Sequence, residues 1–359
     1  MKDLRIDGQA EKSPWASRRK NLSPKVISVT PESLIRTGSL PGGGPLPLLV
    51  EPALEGVALA AWARQNLDFI EGALLANGGI LFRGFGLKGQ EDLAAFLESI
   101  ALRKMFYMEG ATPRTELGDK IYTSTEYPSQ ESIALHNELN YVITWPMKII
   151  FYCVTPAATG GETPIADVRN VLRRISPETA ERFREKGWML VRNFGGGMSL
   201  PWQTAFRKQT REELEEYCRA SFIECQWKEG DRLRTRQVRP AIRNHPKTGE
   251  PVWFNHVAFW HISSLRPEVR KMFLSEFEQD DLPYNAYYGD GSTIEDEVAQ
   301  EIRAAYRDET VAFAWQKGDL LLLDNMLVAH GRNPFTGERK ILTSMGEPFN
   351  GQDYRYITL

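Results

Sequence analysis

His136 and Glu138 stand two residues apart in the stretch IALHNELNYV, inside a segment of β-forming composition, in a chain that has only five histidines. On a strand, residues i and i+2 project from one face, so an imidazole and a carboxylate at this spacing reach a common point; on a helix they diverge. Groups that converge in this way form either a hydrogen-bonded pair or part of a metal site. His330, in DNMLVAHGRNPF directly after the apolar run DLLLLD, offers a second imidazole. Two imidazoles and one carboxylate on one face of a metal leave positions open on non-haem Fe(II) for substrate and dioxygen. Zinc accepts the same ligand types, and a packed strand histidine is the plain alternative, so the three residues alone leave these readings open.

For His136 and His330 to meet, the fold must bring an early strand beside a late one. The middle of the chain supplies short β-rich segments, KIYTST, ALHNELNYVI and MKIIFYCVT, and GGETPIAD opens another strand. The last part, from VAFAWQKGD onward, returns to strands with turns at Lys317-Gly318 and Thr336-Gly337. Before them, residues 54–79 read as one or two amphipathic helices ended by Gly78 and Gly79, followed by the buried strand ILFRGFG and the short helix QEDLAAFLESI. Between about 175 and 310 the pattern turns helical, with N-terminal capping signals at Ser176 and Thr210. Strands bracketing a helical insert, without regular βαβ alternation, predict an α+β chain with a mostly antiparallel sheet folded on itself and helices outside. The expected organisation is a polar N-terminal arm and Pro/Gly connector over 1–50, with GSLPGGGPLPLLVEP (38–52) extended, then a single domain over 51–359 with its insert at about 175–310.

Composition narrows the possible functions. A chain of 359 residues that is 42% hydrophobic can bury a substantial core, and a net charge of -3 gives no field that calls for nucleic acid or an anionic membrane. No stretch approaches the roughly 18 apolar residues of a membrane helix. Cys153, Cys218 and Cys225 have neither metal-finger spacing nor an even count, which fits a reducing cytoplasm. Arg18 and Arg19 form a twin arginine, but no apolar run of signal-peptide length follows, so the segment reads as a polar lead-in.

Five blocks in order, GGILFRGFG, LHNELNY, PMKIIFYCVTPAATGGETPIADVR, LRTRQVRPAIRNHPKTGEPVWFNHVAFWH and GDLLLLDNMLVAHGRNPFTGERKIL, resemble the TauD/TfdA family of iron(II)- and 2-oxoglutarate-dependent oxygenases over roughly residues 75–350. Glu rather than Asp after the first histidine is similar to the clavaminate-synthase-like and SyrP-like branch, which includes amino-acid hydroxylases of natural-product pathways. The resemblance implies a double-stranded β-helix, or jelly roll, with His136, Glu138 and His330 as iron ligands. It also implies that Thr163 of GGETP and Arg339 of GERKIL hold the distal carboxylate of 2-oxoglutarate. A guanidinium fork suits a carboxylate and a hydroxyl adds a further donor, with Arg332 the substitute for Arg339.

The implied reaction is oxidative decarboxylation of 2-oxoglutarate to succinate, coupled through dioxygen to attack on an unactivated C–H bond. The retained Glu138 favours hydroxylation over halogenation, with desaturation or cyclisation as alternatives. A zinc hydrolase would lack a separate Glu base, and an inactive jelly-roll binding module would have no use for the full ligand set. The implied substrate is an amino acid or related small molecule, free or tethered to a carrier protein, and the insert is the natural place for carrier docking or a homodimer contact. Asn255, His256, Trp202 and Arg236 are the candidate substrate-binding residues, with Arg234 alternating with Arg236 on one strand. His245 beside its turn is expected to be exposed and His261 to be a core histidine, while Asp324-Asn325 shapes the turn that delivers His330.

Overall fold

The four consecutive leucines 320–323 occupy the middle of a seven-stranded sheet. Leu320–Asp324 runs antiparallel between Gly79–Phe82 and Thr144–Thr155. Alternation sends Leu321 and Leu323 into one apolar core with Ile149 and Phe151, and Leu320 and Leu322 into a second with Ile150 and Tyr152. A strand covered on both faces reads as an unbroken apolar run, which is why DLLLLD carries no polar alternation. The second core is closed by the helices Leu59–Gln65, Leu67–Asn77 and Gln90–Ser99 through Trp62, Leu74 and Phe96. Gly78 ends the second helix in the left-handed region at φ 76°, and a Cβ there would lie 2.5 Å from Val328 Cγ2. Gly is therefore required both by its φ and by the close approach.

This computed structural model describes residues 34–351 apart from 43, 108, 110–114, 125–126 and 196–198. The part of the expected N-terminal arm at 1–33 lies outside the described residues. The Pro/Gly stretch 38–52 is not a straight extended connector: it turns at Pro41-Gly42 and bends at 45–47, and its ends belong to the sheet, where Ile35–Gly38 pairs antiparallel with Leu48–Pro52, which runs parallel to Gly79–Phe82. A boundary at residue 50 therefore falls within a strand of the main sheet.

On the other side of the first core lies a three-stranded sheet of Ile133–His136, Val328–Arg332 and Ile165–Asp167. The two sheets, with helices outside, make the jelly roll of a mixed α/β chain. No helix among the described residues is long and apolar enough to cross a membrane.

The region 175–310 differs from the helical insert expected of it. Helices Pro177–Lys186, Arg211–Ala220, Pro267–Glu276 and Asp296–Asp308 form, and the side chains of Ser176 and Thr210 accept the N–H groups of Thr179 and Glu213 as caps. Among them, however, Glu224–Lys228, Arg232–Arg239, Trp188–Phe194 and Tyr284–Tyr288 hydrogen-bond in that order as an antiparallel sheet, and Ile242–Asn244 pairs with Pro251–Trp253. Residues 224–227, read in the sequence as the end of the helical run TREELEEYCRASFIECQW from Thr210, leave the helix because Phe222 takes a left-handed φ of 53°. The insert is a second mixed layer in which Trp188–Phe194 is flanked through long-range pairing by Arg232–Arg239 and Tyr284–Tyr288, while Glu224–Lys228 with Arg232–Arg239 and Ile242–Asn244 with Pro251–Trp253 are local pairs.

Gly331 lies between His330 and Arg332, where a Cβ would come within 2.6 Å of the Ile133 carbonyl oxygen on the neighbouring strand. Gly331→Ala must push these strands apart, and overpacking of this kind costs about 1–3 kcal/mol. The urea midpoint of Gly331→Ala is expected to fall at unchanged m-value.

Candidate metal and co-substrate site

His136 and His330 are direct cross-strand partners in the three-stranded sheet, and their ring centroids lie 4.6 Å apart. His136 Nδ1 donates to the Ala134 carbonyl at 2.8 Å, which places the lone pair on Nε2. Glu138 completes the group by a route different from the one expected. The strand ends at His136, and Glu138 stands in the turn that follows, so strand alternation does not aim it. The turn is held by Asn325, whose side chain bonds both the N–H and the C=O of Glu138.

One ligand atom from each of His136, Glu138 and His330 fits within 4.8 Å of the others. His330 Nε2 lies 3.7 Å from Glu138 Oε2, too far for a hydrogen bond yet closer than twice a metal–ligand distance of about 2.1 Å. His330 is 4% exposed, and its buried Nδ1 has no hydrogen-bond partner among the described residues. A buried imidazole in that state is costly, and a metal ion on one nitrogen relieves the cost. The donor set therefore fits a divalent cation with imidazole and carboxylate preferences.

His136 and His330 share a pocket with Phe151, Thr163, Thr343 and Arg339. Arg339 donates from Nε to the Gly161 carbonyl at 2.8 Å and directs its other nitrogens toward the hydroxyls of Ser124 and Thr163 at 3.4 and 3.5 Å. No carboxylate among the described residues pairs with it. Burial pulls its pKa down to about 10, with the charge of Arg332 acting in the same direction. Arg339 thus remains a half-buried cation at neutral pH, a condition that favours an incoming carboxylate. Arg332 is committed elsewhere, donating to the carbonyls of Tyr127, Pro128 and Glu131. Trp315 Nε1 donates to Thr163 Oγ1 at 3.2 Å and orients that hydroxyl.

His256 is the one substrate candidate placed beside the three converging residues. Its ring lies 5.3 Å from those of His136, Phe259 and Tyr141, and its Nδ1 meets Asn140 Oδ1 at 2.5 Å. Burial, followed by the neighbouring His136, holds its pKa well below the usual histidine value, so it is neutral. The other three candidates have work elsewhere. Asn255 spends its amide on the Ala241 carbonyl and the Val257 N–H. Trp202 packs edge-on against Trp227 in a separate core and donates to Asp231. Arg236 pairs with Glu224 and Asp280 on the outer sheet, as Arg234 does with Asp280 and Asp281. Their acidic partners come from other segments and cannot be read from the LRTRQ block.

His261 is the core histidine expected, bonded to the Ile294 carbonyl and Ser263. His245 is corrected: it is 1% exposed, and with Nδ1 accepting the N–H of Thr248 its Nε2 donates to Asp324 Oδ2 at 3.1 Å. Asp324 Oδ1 caps the N–H groups of Met326 and Leu327, shaping the turn before His330 as expected. Trp315, Ser124 and the hold of Asn325 on Glu138 escape sequence reasoning. The Asp-Asn dipeptide signals a turn but does not name the distant backbone it grips.

Residues 43–345 match the family described as taurine catabolism dioxygenase TauD, TfdA family. The chain is 41% identical over 279 residues to the dapdiamide synthesis protein DdaC of Enterobacter agglomerans, covering 78% of this chain and 85% of that one. It is 27% identical over 321 residues to a clavaminate synthase-like protein of Arabidopsis thaliana, covering 84% and 93%. Among solved structures, PvcB of Pseudomonas aeruginosa aligns with TM-score 0.52 at 18% identity over 90% of this chain and 93% of that one, a likeness of fold.

His245→Ala would leave Asp324 Oδ2 without its imidazole partner. The expected loss, by denaturant unfolding, is about 1–3 kcal/mol, well beyond the roughly ±0.5 kcal/mol of an exposed position.

Proposed function

The chain belongs to the TauD/TfdA family and is an iron(II)- and 2-oxoglutarate-dependent dioxygenase; from that premise we propose that it hydroxylates an unactivated C–H bond of an amino acid or related small molecule in natural-product biosynthesis. The observation that carries this reading is the convergence of His136, Glu138 and His330 beside a pocket that also holds Arg339 and Thr163. The first three are the proposed iron ligands, and the last two the proposed seat of the distal carboxylate of 2-oxoglutarate. Support for the pathway class comes from the relative named for dapdiamide synthesis.

When bound, iron and 2-oxoglutarate supply the oxidative decarboxylation and the oxidant. The residues of this chain position and exclude. His136, fixed through Ala134, presents Nε2; Arg339 and Thr163, which lie within reach of one another, would hold the distal carboxylate of the co-substrate. Phe151, with its ring 5.0 Å from that of His330, keeps water from that side. His256, neutral and beside His136, is the proposed substrate-facing polar group. Its geometry suits a substrate donor, as an amide or ammonium N–H would provide. Whether that substrate is free or carried on a thiolation domain is tested by offering both forms and following succinate.

With Fe(II), ascorbate and 2-oxoglutarate, the wild-type protein is expected to form succinate, faster with the right substrate. His136→Ala should lose at least 100-fold of that turnover, on the order of a lost essential ligand, with the circular dichroism spectrum retained. Full activity in His136→Ala would overturn the ligand reading.

Arg339→Met is expected to keep the fold while losing the thermal stabilisation that 2-oxoglutarate gives the metal-loaded protein. At a ligand concentration of 100 times Kd that stabilisation is about 2.7 kcal/mol. An undiminished ligand-induced rise in Tm would place the carboxylate elsewhere.

A further inference from the structure

We propose that Asn325 is a positioning residue for Glu138, setting the affinity of the site for its metal; this rests on the reading of Glu138 as a ligand. Glu138 lies past the end of its strand, so the sheet that orients His136 and His330 does not orient it. The next residue, Leu139, takes a left-handed φ of 54°, a conformation that a branched side chain adopts only where its surroundings enforce it.

Asn325 supplies that enforcement. Its Oδ1 accepts the Glu138 N–H at 2.7 Å, and its Nδ2 donates to the carbonyls of Glu138 and Pro146, each at 2.8 Å. The Asn325 backbone carbonyl in turn accepts from Asn137 Nδ2 at 2.7 Å. Asn325 is 0% exposed, so no water competes for these bonds. A planar group with two donors and one acceptor is matched to this set. Aspartate would set a carboxylate against two carbonyl oxygens, and leucine offers nothing to any of the three.

Asn325 lies in the turn that leads into the His330 strand, and Asp324, bonded to His245, caps that turn. The Asn325 amide, with the Asn137 amide on its backbone carbonyl, therefore ties the segment bearing one imidazole to the segment bearing the carboxylate. The distance between those two side chains is set by these hydrogen bonds rather than by strand pairing.

The test is anaerobic titration of the metal-free protein with Mn(II), reading free Mn(II) by electron paramagnetic resonance, alongside the thermal midpoint of each metal-free variant. Asn325→Leu is expected to raise the Mn(II) Kd about 10–100-fold, the usual range for loss of a group that orients a ligand. Asn325→Ser, which keeps an acceptor for the Glu138 N–H, should fall between it and wild type. The proposal is overturned if folded Asn325→Leu binds Mn(II) within about twofold of wild type, even with a lowered thermal midpoint, because that pattern marks a purely structural role. Should Asn325→Leu not fold, the same criterion applies to Asn325→Ser. Glu138→Ala serves as the reference and should lose Mn(II) binding. If it binds like wild type, the ligand reading fails first and carries this proposal with it.

Discussion

The antiparallel contact between Ile133–His136 and Val328–Arg332 is the constraint from which the site follows. It places two imidazoles opposite each other although 194 residues of chain separate them. Closing so long a loop costs only slightly more entropy than closing one of half the length, because the cost grows with the logarithm of the separation. The cost is offset in the cores on either side, where the long strands Thr144–Thr155 and Lys340–Asn350 pair along almost their whole length. The register slips between His330 and Arg332, and Gly331 lets the backbones approach at that point. The irregularity therefore coincides with the position that must deliver a ring to a shared point, as bulges beside functional sites commonly do.

Charge supplies a second constraint. Glu138 is 4% exposed beside the imidazole of His330, and a carboxylate so deep costs several kcal/mol unless positive charge lies close by. Arg339 presents the opposite problem in the same pocket, a cation with no described carboxylate partner. The two charges are not paired with each other. In the proposed reading each would be complemented by what the family binds, a divalent cation at Glu138 and an anionic co-substrate at Arg339. Satisfying each from within the protein would remove the reason for a ligand to enter.

Local signals in the sequence were sufficient wherever local physics decides the outcome. Helix caps at Ser176 and Thr210, the helix stop at Gly78 and the doubly buried strand 320–324 form as their side chains dictate. His136 and His330 were legible as a pair through the family resemblance of five ordered blocks, because HxE alone and a histidine after an apolar run are weak local patterns. The outer sheet was not legible, because Glu224–Lys228 is a strand only by virtue of its partner Arg232–Arg239, and its charged side chains mimic a helix surface. His245 looked like a turn residue on the surface because its partner Asp324 lies 79 residues away. Trp202 and Arg236 lie away from the three converging residues for the same reason: their partners, Asp231, Glu224 and Asp280, hold them elsewhere.

The origin of each side chain suggests how work is divided across the molecule. The proposed metal ligands and Arg339 come from the jelly roll or the turns joined to it, whereas His256 comes from the second layer, just after the pair Ile242–Asn244 and Pro251–Trp253. That layer is docked onto the jelly roll by buried polar contacts. Gln237 and Arg239 both donate to the Tyr141 carbonyl at 2.8 Å, and the Tyr141 hydroxyl donates to the Glu109 carbonyl. Two donors on one buried carbonyl leave little room for sliding, since any shift strands a polar group away from water. His256 is consequently held at a fixed distance from His136 by a layer whose remaining surface can vary without disturbing the β-sheet. The proposed reading puts the chemistry in one layer and the substrate-facing His256 in the other, with Tyr141 as the joint between them.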